Sequence, residues 1–514
     1  MPFTAAGWMS GADLTRRGLL AGAVGAACLA ATGARADSLN AINYVAPVDT
    51  PDGRYEADGV QPRGADGRLA AWAYTGIRYA TVSRFMAPVP TLRAEKLGHL
   101  GPACPQNGDR YPDQAEDCHF LNVWVPESAK PRRRPVMVYF HGGAYSTGSV
   151  TDPVNDGAVL ASRGDVVVVT VNHRLNALGY LYLPGRFPAS GNAGQLDLIV
   201  ALQWIRRNIA AFGGDANNVT VFGQSGGGAK IATLMAMPAA KGLFHKAITM
   251  SGQQVTASGP LNAAKRAAAF LDKLGKAVDP ATAPVEQIVA ALSATDPILG
   301  GGVYMGPVLD MKHLMRHPFW PDAAPQSLRI PMMLGNTVME TRAFYAPESK
   351  QLAGLNFDNL AARIAPEMRI DIDPSWVVGQ FRARYPKADA LTLFHRIVTA
   401  ARSWRGQVEE AEARARAGHP GFVYQLDFED AKHTDDIGLS FGTMPDPTPA
   451  QQAMSDRVMD AFVRFARSGD PGWPAYNLAK RQTMVFNTTS GVENDPRKWE
   501  RELFARVPYI QSGS

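Results

Sequence analysis

The stretch Phe212-Gly-Gly-Asp-Ala-Asn-Asn-Val-Thr-Val-Phe-Gly-Gln-Ser225-Gly-Gly-Gly constrains this chain most, because it reads as a buried strand running into a tight turn with one hydroxyl at its tip. Val219 to Phe222 is a short β-branched and aromatic run of the kind that fills an interior parallel strand. Gly223 and Gly227 flank Ser225 in a G-x-S-x-G pattern, which lets the backbone bend sharply and leaves the serine oxygen exposed. Residues 229–237 follow as a helix former, so Ser225 is expected at a helix N-terminus, where N–H groups favour negative charge. Ser225 is therefore the candidate nucleophile. The competing reading, an incidental serine in a glycine-rich loop, does not account for a strand before it and a helix after it. A phosphate-binding loop is excluded, since Lys230 follows Ala229 instead of glycine and precedes Ile231 instead of Ser or Thr.

Other strands set the class. Phe120 to Val125, Pro135 to Phe140 and Val166 to Val171 read as strands, the last apolar enough to be buried on both faces, and a helix over 196–211 leads to the serine strand. The alternation predicts an α/β fold with a central, mostly parallel sheet flanked by helices, and a ligand site at the carboxyl ends of its strands. His141-Gly142-Gly143-Ala144-Tyr145 begins where such a strand ends, so this turn, with the N–H of Gly226, is the candidate oxyanion hole.

A base and an acid are expected later in the chain. His433 follows the strand over 421–428 at its carboxyl end; His419 stands at the wrong end of that strand, and His395 lies in a helical pattern. Glu340 follows the strand over 330–335 and is the favoured acid, with Asp310 as competitor. Its task is to orient the His433 imidazole and stabilise the imidazolium.

Residues 1–36 have the form of a twin-arginine export signal: Arg16-Arg17, a short apolar run and Ala34-Arg35-Ala36. The exported chain is expected to start near Asp37 as one domain over 37–514, located in the periplasm or secreted. A lipidated Cys28 is a weaker option, since Gly25 stands where a large aliphatic residue is wanted. The formal charge of +5 includes Arg16, Arg17, Arg35 and Asp13 from this segment. What remains is too small and scattered for a nucleic-acid surface, and Arg132-Arg133-Arg134 reads as a solvated turn. Cys104 and Cys118, spaced for a small loop in an exported protein, are expected to form a disulfide, with two independent thiols as the alternative. No metal or other cofactor is called for. Helical insertions over 263–292 and 357–417 are expected to cover the site.

Taken with Glu116-Asp-Cys-His-Phe-Leu-Asn-Val-Trp-Val-Pro126, Asn172-His-Arg-Leu-Asn-Ala-Leu-Gly-Tyr180, Gly191-Asn-Ala-Gly-Gln-Leu-Asp197 and Met250-Ser-Gly252, the chain resembles the type-B carboxylesterases, and among them the bacterial p-nitrobenzyl-esterase-like members. The resemblance runs from about Val45 into the C-terminal region. It implies the α/β-hydrolase fold, Ser225, Glu340 and His433 as a triad, oxyanion donors on Gly143, Ala144 and Gly226 with Gly142 shaping the turn, and Cys104 paired with Cys118. A small-molecule ester is the expected substrate, with no membrane span in the exported chain and a monomer or weak homo-oligomer as the assembly. Gln224 replaces the glutamate usual in cholinesterases, and the loop 105–117 has Tyr111 but no tryptophan, so a choline ester is not expected.

Overall fold

A computed structural model describes residues 47–61, 71–127, 133–368 and 370–511. The expected export segment lies outside them. Eleven strands form the central sheet: β1 Gly59–Gln61, β2 Ala71–Arg78, β3 Phe120–Pro126, β4 Arg134–Phe140, β5 Val167–Val171, β6 Gly214–Gln224, β7 Lys246–Met250, β8 Met332–Thr337, β9 Phe422–Leu426, β10 Gln482–Phe486 and β11 Gly491–Asn494. Their spatial order is 1-2-3-5-4-6-7-8-9-10-11. From β5 through β10 every neighbouring pair is parallel, and the remaining pairs at both sides are antiparallel.

The parallel block is buried on both faces because its residues alternate between two cores. Val136, Val138 and Phe140 of β4 join Val167, Val169, Val171, Val219 and Val221 on one face, under helix α1 (Ala193–Asn208). Met137 and Tyr139 turn the other way, towards Phe222, Ile248 and Phe441. This is the period-two geometry of a strand with no wet face. Helix α2 (Gly226–Leu234) follows β6, and the insertions supply α3 (Pro260–Leu274), α4 (Val285–Ala291), α5 (Leu360–Met368), α6 (Pro374–Arg384), α7 (Ala390–Val398) and α8 (Arg405–Arg416). A π-helical turn, Thr399–Trp404, joins α7 to α8. Helices α3 and α4 pack through Ala267, Phe270 and Ile288 into the cluster that holds Tyr145, while α5 to α7 pack with Tyr345, so both insertions border the ends of the strands that carry the candidate site. Helices α9 (Asp435–Phe441) and α10 (Pro449–Ser468) close the other face.

Two expectations fail. Of the three arginines read as a solvated turn, Arg132 lies outside the described residues and Arg133 is exposed, but Arg134 starts β4, is buried, and donates to Asp165 at 2.7 Å, because an arginine at a strand end can reach back to the loop before the next strand. Cys104 and Cys118 are free thiols instead of a disulfide. Both are buried in the apolar cluster around Tyr145. A hydrogen bond with Cys104 and burial hold the Cys118 thiol well above its ordinary pKa, which disfavours the thiolate that disulfide exchange needs. Leu175 N–H donates to the Cys104 sulfur at 3.2 Å.

On β8, Gly335 pairs with Tyr424 of β9, and the tyrosine ring lies across it. A Cβ at Gly335 would fall 1.8 Å from the ring. Gly335→Ala is expected to destabilise the fold by about 3 kcal/mol, since the fully packed ring has nowhere to go; thermal unfolding should show a fall in Tm of several degrees, and an unchanged Tm would contradict this packing.

Candidate active site

Ser225 stands between β6 and α2 with φ 55° and ψ −123°, a conformation rarely adopted by a residue with a Cβ. Its N–H donates to Met250 O at 2.7 Å, and its carbonyl accepts from Ala229 N at 3.1 Å, so both flanks of the turn are tied down. The half-buried side chain is left at the carboxyl edge of the sheet. The glycines are required by close approach: a Cβ at Gly227 would lie 1.9 Å from Phe140 O, and one at Gly226 would lie 1.9 Å from Ala144 O.

That second contact places the start of α2 against the turn after β4. Gly143 and Ala144 both take left-handed backbone, φ 81° and 55°, and the turn is closed by Ser146 and Thr147 N–H donating to Gly143 O at 3.0 Å. The N–H groups of Gly143, Ala144 and Gly226 donate to no other group among the described residues. Unpaired N–H groups on adjoining backbones beside a hydroxyl have the chemistry of an anion receptor.

The loops after β8 and β9 bring Glu340 to His433. A Glu340 carboxylate oxygen accepts from His433 Nδ1. The other oxygen accepts from the Ser251 hydroxyl at 2.5 Å, from Thr337 N–H at 2.8 Å and from the Asn336 amide at 3.1 Å. Burial by itself pushes this carboxyl up, but His433, the Ser251 hydroxyl and the Thr337 N–H outweigh it, and the net shift is downward. A buried carboxylate with both oxygens engaged holds an imidazole in one tautomer, with Nδ1 protonated and Nε2 able to accept.

The remaining sequence candidates are elsewhere. Asp310 accepts from His313 Nδ1 at 2.7 Å and takes no part. His395 is buried against the Thr341 hydroxyl at 3.1 Å, and His419 is exposed. The structure adds partners that residue patterns did not single out. Ser251 had been noted only as part of a motif. Gln224, expected only to bear on substrate choice, is a second: its amide Nε2 stands 3.2 Å from His433 Nε2, and Ser225 Oγ makes no hydrogen bond to that nitrogen. A third is Phe344, 44% exposed, whose ring lies 4.8 Å from the imidazole and forms an apolar wall beside it. A fourth is Asp436 on α9. It is buried, its Oδ1 has no partner, and Tyr424 OH approaches its Oδ2 at 3.4 Å. Burial, and then the Glu340 charge, push its carboxyl up to about 7.

Comparisons with known proteins identify the family. The model of the carboxylesterase family matches residues 46–503. Para-nitrobenzyl esterase of Bacillus subtilis is 33% identical over 480 residues, covering 84% of this chain and 94% of that protein. A probable N-octanoylanthranilate hydrolase of Rhodococcus erythropolis is 37% identical over 457 residues, covering 80% of this chain and 93% of that one. Among solved structures, carboxylesterase EST55 of Geobacillus stearothermophilus superimposes with a TM-score of 0.77 at 31% identity, covering 89% of this chain and 99% of its own. A PNB esterase structure gives 0.74 at 32% identity, covering 90% and 100%. A mostly parallel sheet of this order, a serine on a strained strand-to-helix turn and a match along nearly the whole described chain place this protein in the carboxylesterase family, as a type-B carboxylic ester hydrolase with the α/β-hydrolase fold resembling para-nitrobenzyl esterase.

Proposed function

We propose that Ser225, His433 and Glu340 form a catalytic triad that hydrolyses carboxylic esters through an acyl-enzyme. The observation that carries the reading is the buried Glu340–His433 pair, whose Nε2 faces the turn bearing Ser225 and Gln224. Ser225 Oγ attacks the ester carbonyl carbon and gives its proton to His433 Nε2. The carbonyl oxygen becomes an oxyanion held by the N–H groups of Gly143, Ala144 and Gly226, with Gly142 shaping the turn. Collapse breaks the ester C–O bond, and the leaving alkoxide takes the proton from Nε2. Water then gives a proton to Nε2 and attacks the acyl carbon; the carboxylic acid departs as Ser225 regains its proton. For the first step the Gln224 amide must leave Nε2 and the Ser225 hydroxyl take its place.

The substrate in this reading is a small-molecule ester, with Phe344 lining the approach. An N-acyl arylamide is the second reading, supported by the relative named as a probable N-octanoylanthranilate hydrolase. The twin-arginine pattern in residues 1–36 supports export, with the reaction taking place in the periplasm or outside the cell.

Hydrolysis of p-nitrophenyl esters from acetyl to decanoyl, with N-octanoylanthranilate in parallel, tests both. Ser225→Ala is expected to lose at least about a thousandfold in kcat on every substrate that the wild type turns over, and His433→Ala a comparable factor. Retention of activity in Ser225→Ala would overturn the triad.

Asp436 gives the pH dependence of stability a definite sign. Its carboxyl is raised from 3.8 to about 7 on folding, so between those values the folded state holds a proton that the unfolded chain has released. The contribution is complete below about pH 4 and is lost as the pH rises through 7. Asp436→Asn, which never ionises, should gain on the wild type by roughly 1–3 kcal/mol between about pH 5 and pH 8 in urea unfolding. A constant difference across that range would mean that Asp436 does not titrate there.

A further inference from the structure

Lys230 was notable in the sequence only for being misplaced in a phosphate loop. In the structure it lies on the second turn of α2 with no exposed surface, directly behind the turn that carries Gly142, Gly143 and Ala144. Its Nζ donates to the His141 carbonyl at 3.0 Å. That carbonyl belongs to the peptide leading into Gly142, immediately before the two left-handed residues of the turn. The amine also lies 5.6 Å from the centre of the Tyr145 ring, at the far end of the same turn. Tyr145 in turn donates its hydroxyl to Gln254 Oε1 at 2.9 Å.

The groups that face the amine come from three other segments. The turn contributes the His141 imidazole, which stacks at 4.5 Å on His173 from the segment after β5. Both imidazoles are held well below their ordinary pKa, chiefly by burial, with the Lys230 charge adding to the effect. The loop before β3 contributes Cys104. No carboxylate among the described residues lies within ion-pair distance of Lys230. An ammonium left inside a protein without a counterion is costly, and that cost is most readily explained where the charge is used.

We propose that Lys230 is a positioning residue for ester hydrolysis. Acting through the His141 carbonyl, it holds the N–H groups of Gly143 and Ala144 at the reacting oxygen and places positive charge beneath them. The proposal rests on the Ser225 reading above. Burial lowers the amine to about 7, with Cys104 opposing. It is therefore protonated on the acid side of neutrality and neutral on the alkaline side. An ammonium donates a stronger hydrogen bond to a carbonyl than an amine does, so the hold on the turn weakens as the pH rises through that value.

The test compares wild type, Lys230→Met and Lys230→Gln on p-nitrophenyl butyrate from about pH 6 to pH 10, with Ser225→Ala in parallel. It also measures inhibition by a trifluoromethyl ketone, whose serine adduct carries the oxyanion. Lys230→Met is expected to lose about tenfold to a hundredfold in kcat with KM within about threefold, and to lose inhibitor affinity in step with kcat/KM. Lys230→Gln, which keeps an N–H donor without the charge, should recover part of the loss. Wild-type kcat should fall through about pH 7 to 9, and both variants should lack that fall.

A Lys230→Met enzyme with wild-type kcat and inhibitor affinity overturns the proposal, as does an alkaline fall shared by all three proteins. Loss of turnover with unchanged inhibitor affinity would also overturn it, because it would mark a residue that only packs. Methionine relieves a buried charge and should fold; if it does not, Lys230→Gln and the wild-type profile decide, and a wild-type kcat flat to about pH 9 overturns the idea. Ser225→Ala retaining activity would sink the site reading itself, whereas an inactive Ser225→Ala beside an indifferent Lys230→Met sinks only the role of Lys230.

Discussion

The backbone of Ser225 is the constraint on which the rest depends. A non-glycine residue at φ 55°, ψ −123° is strained by on the order of 1–3 kcal/mol, and it persists only where its surroundings over-determine it. They do so from three directions. Met250 O at the end of β7 takes its N–H, the first turn of α2 takes its carbonyl, and Phe140 O at the end of β4 approaches so closely that only glycine fits at 227. The turn is thus clamped between the ends of the two strands beside β6. Every other candidate group stands on a loop leaving the same edge of the sheet, which is why residues far apart in sequence, from Gly143 to His433, converge on one hydroxyl.

Three buried carboxyls near this edge show how partners decide charge once burial is equal. Glu340 engages both oxygens, with four donors, and is driven below its ordinary range. Asp436 has one long contact, an orphaned Oδ1 and Glu340 as a charged neighbour, and rises to about 7. Glu410 on α8 accepts a single N–H from Gln254 at 2.7 Å, leaves Oε2 unpaired, and is raised by burial to about 8. A carboxylate is kept in a dry interior only where hydrogen bonds replace its hydration. Only Glu340 meets that condition, and only Glu340 contacts His433.

This difference marks the limit of what the sequence shows. The parallel strands were legible because both faces are dry, so their apolar runs are nearly continuous, as in Val166 to Val171. Ser225, the turn after β4, Glu340 and His433 were legible because the strand ends can be counted and a ligand site is expected there. What depends on side-chain contacts across distant segments was not. Nothing local distinguishes Arg134, paired with Asp165, from its exposed neighbour Arg133. The spacing of Cys104 and Cys118 permits either a disulfide or two thiols, and the structure has the thiols. Lys230 and Asp436 look like ordinary surface residues in a helix; burial, which no local pattern reveals, makes each of them chemically unusual.

Gln224 connects the strained turn to the histidine in a way that follows from its own chemistry. An amide N–H can donate to an imidazole nitrogen only while that nitrogen carries no proton, so the 3.2 Å contact fits the tautomer that Glu340 imposes on the other side of the ring. A glutamate at this position would set a second negative charge beside the imidazole and favour its protonated form, whereas the amide is neutral. The residue before the serine, buried by the fold of the strand that carries it, therefore occupies the unprotonated histidine nitrogen until Ser225 replaces it, without adding charge to a site already bordered by Glu340 and Asp436.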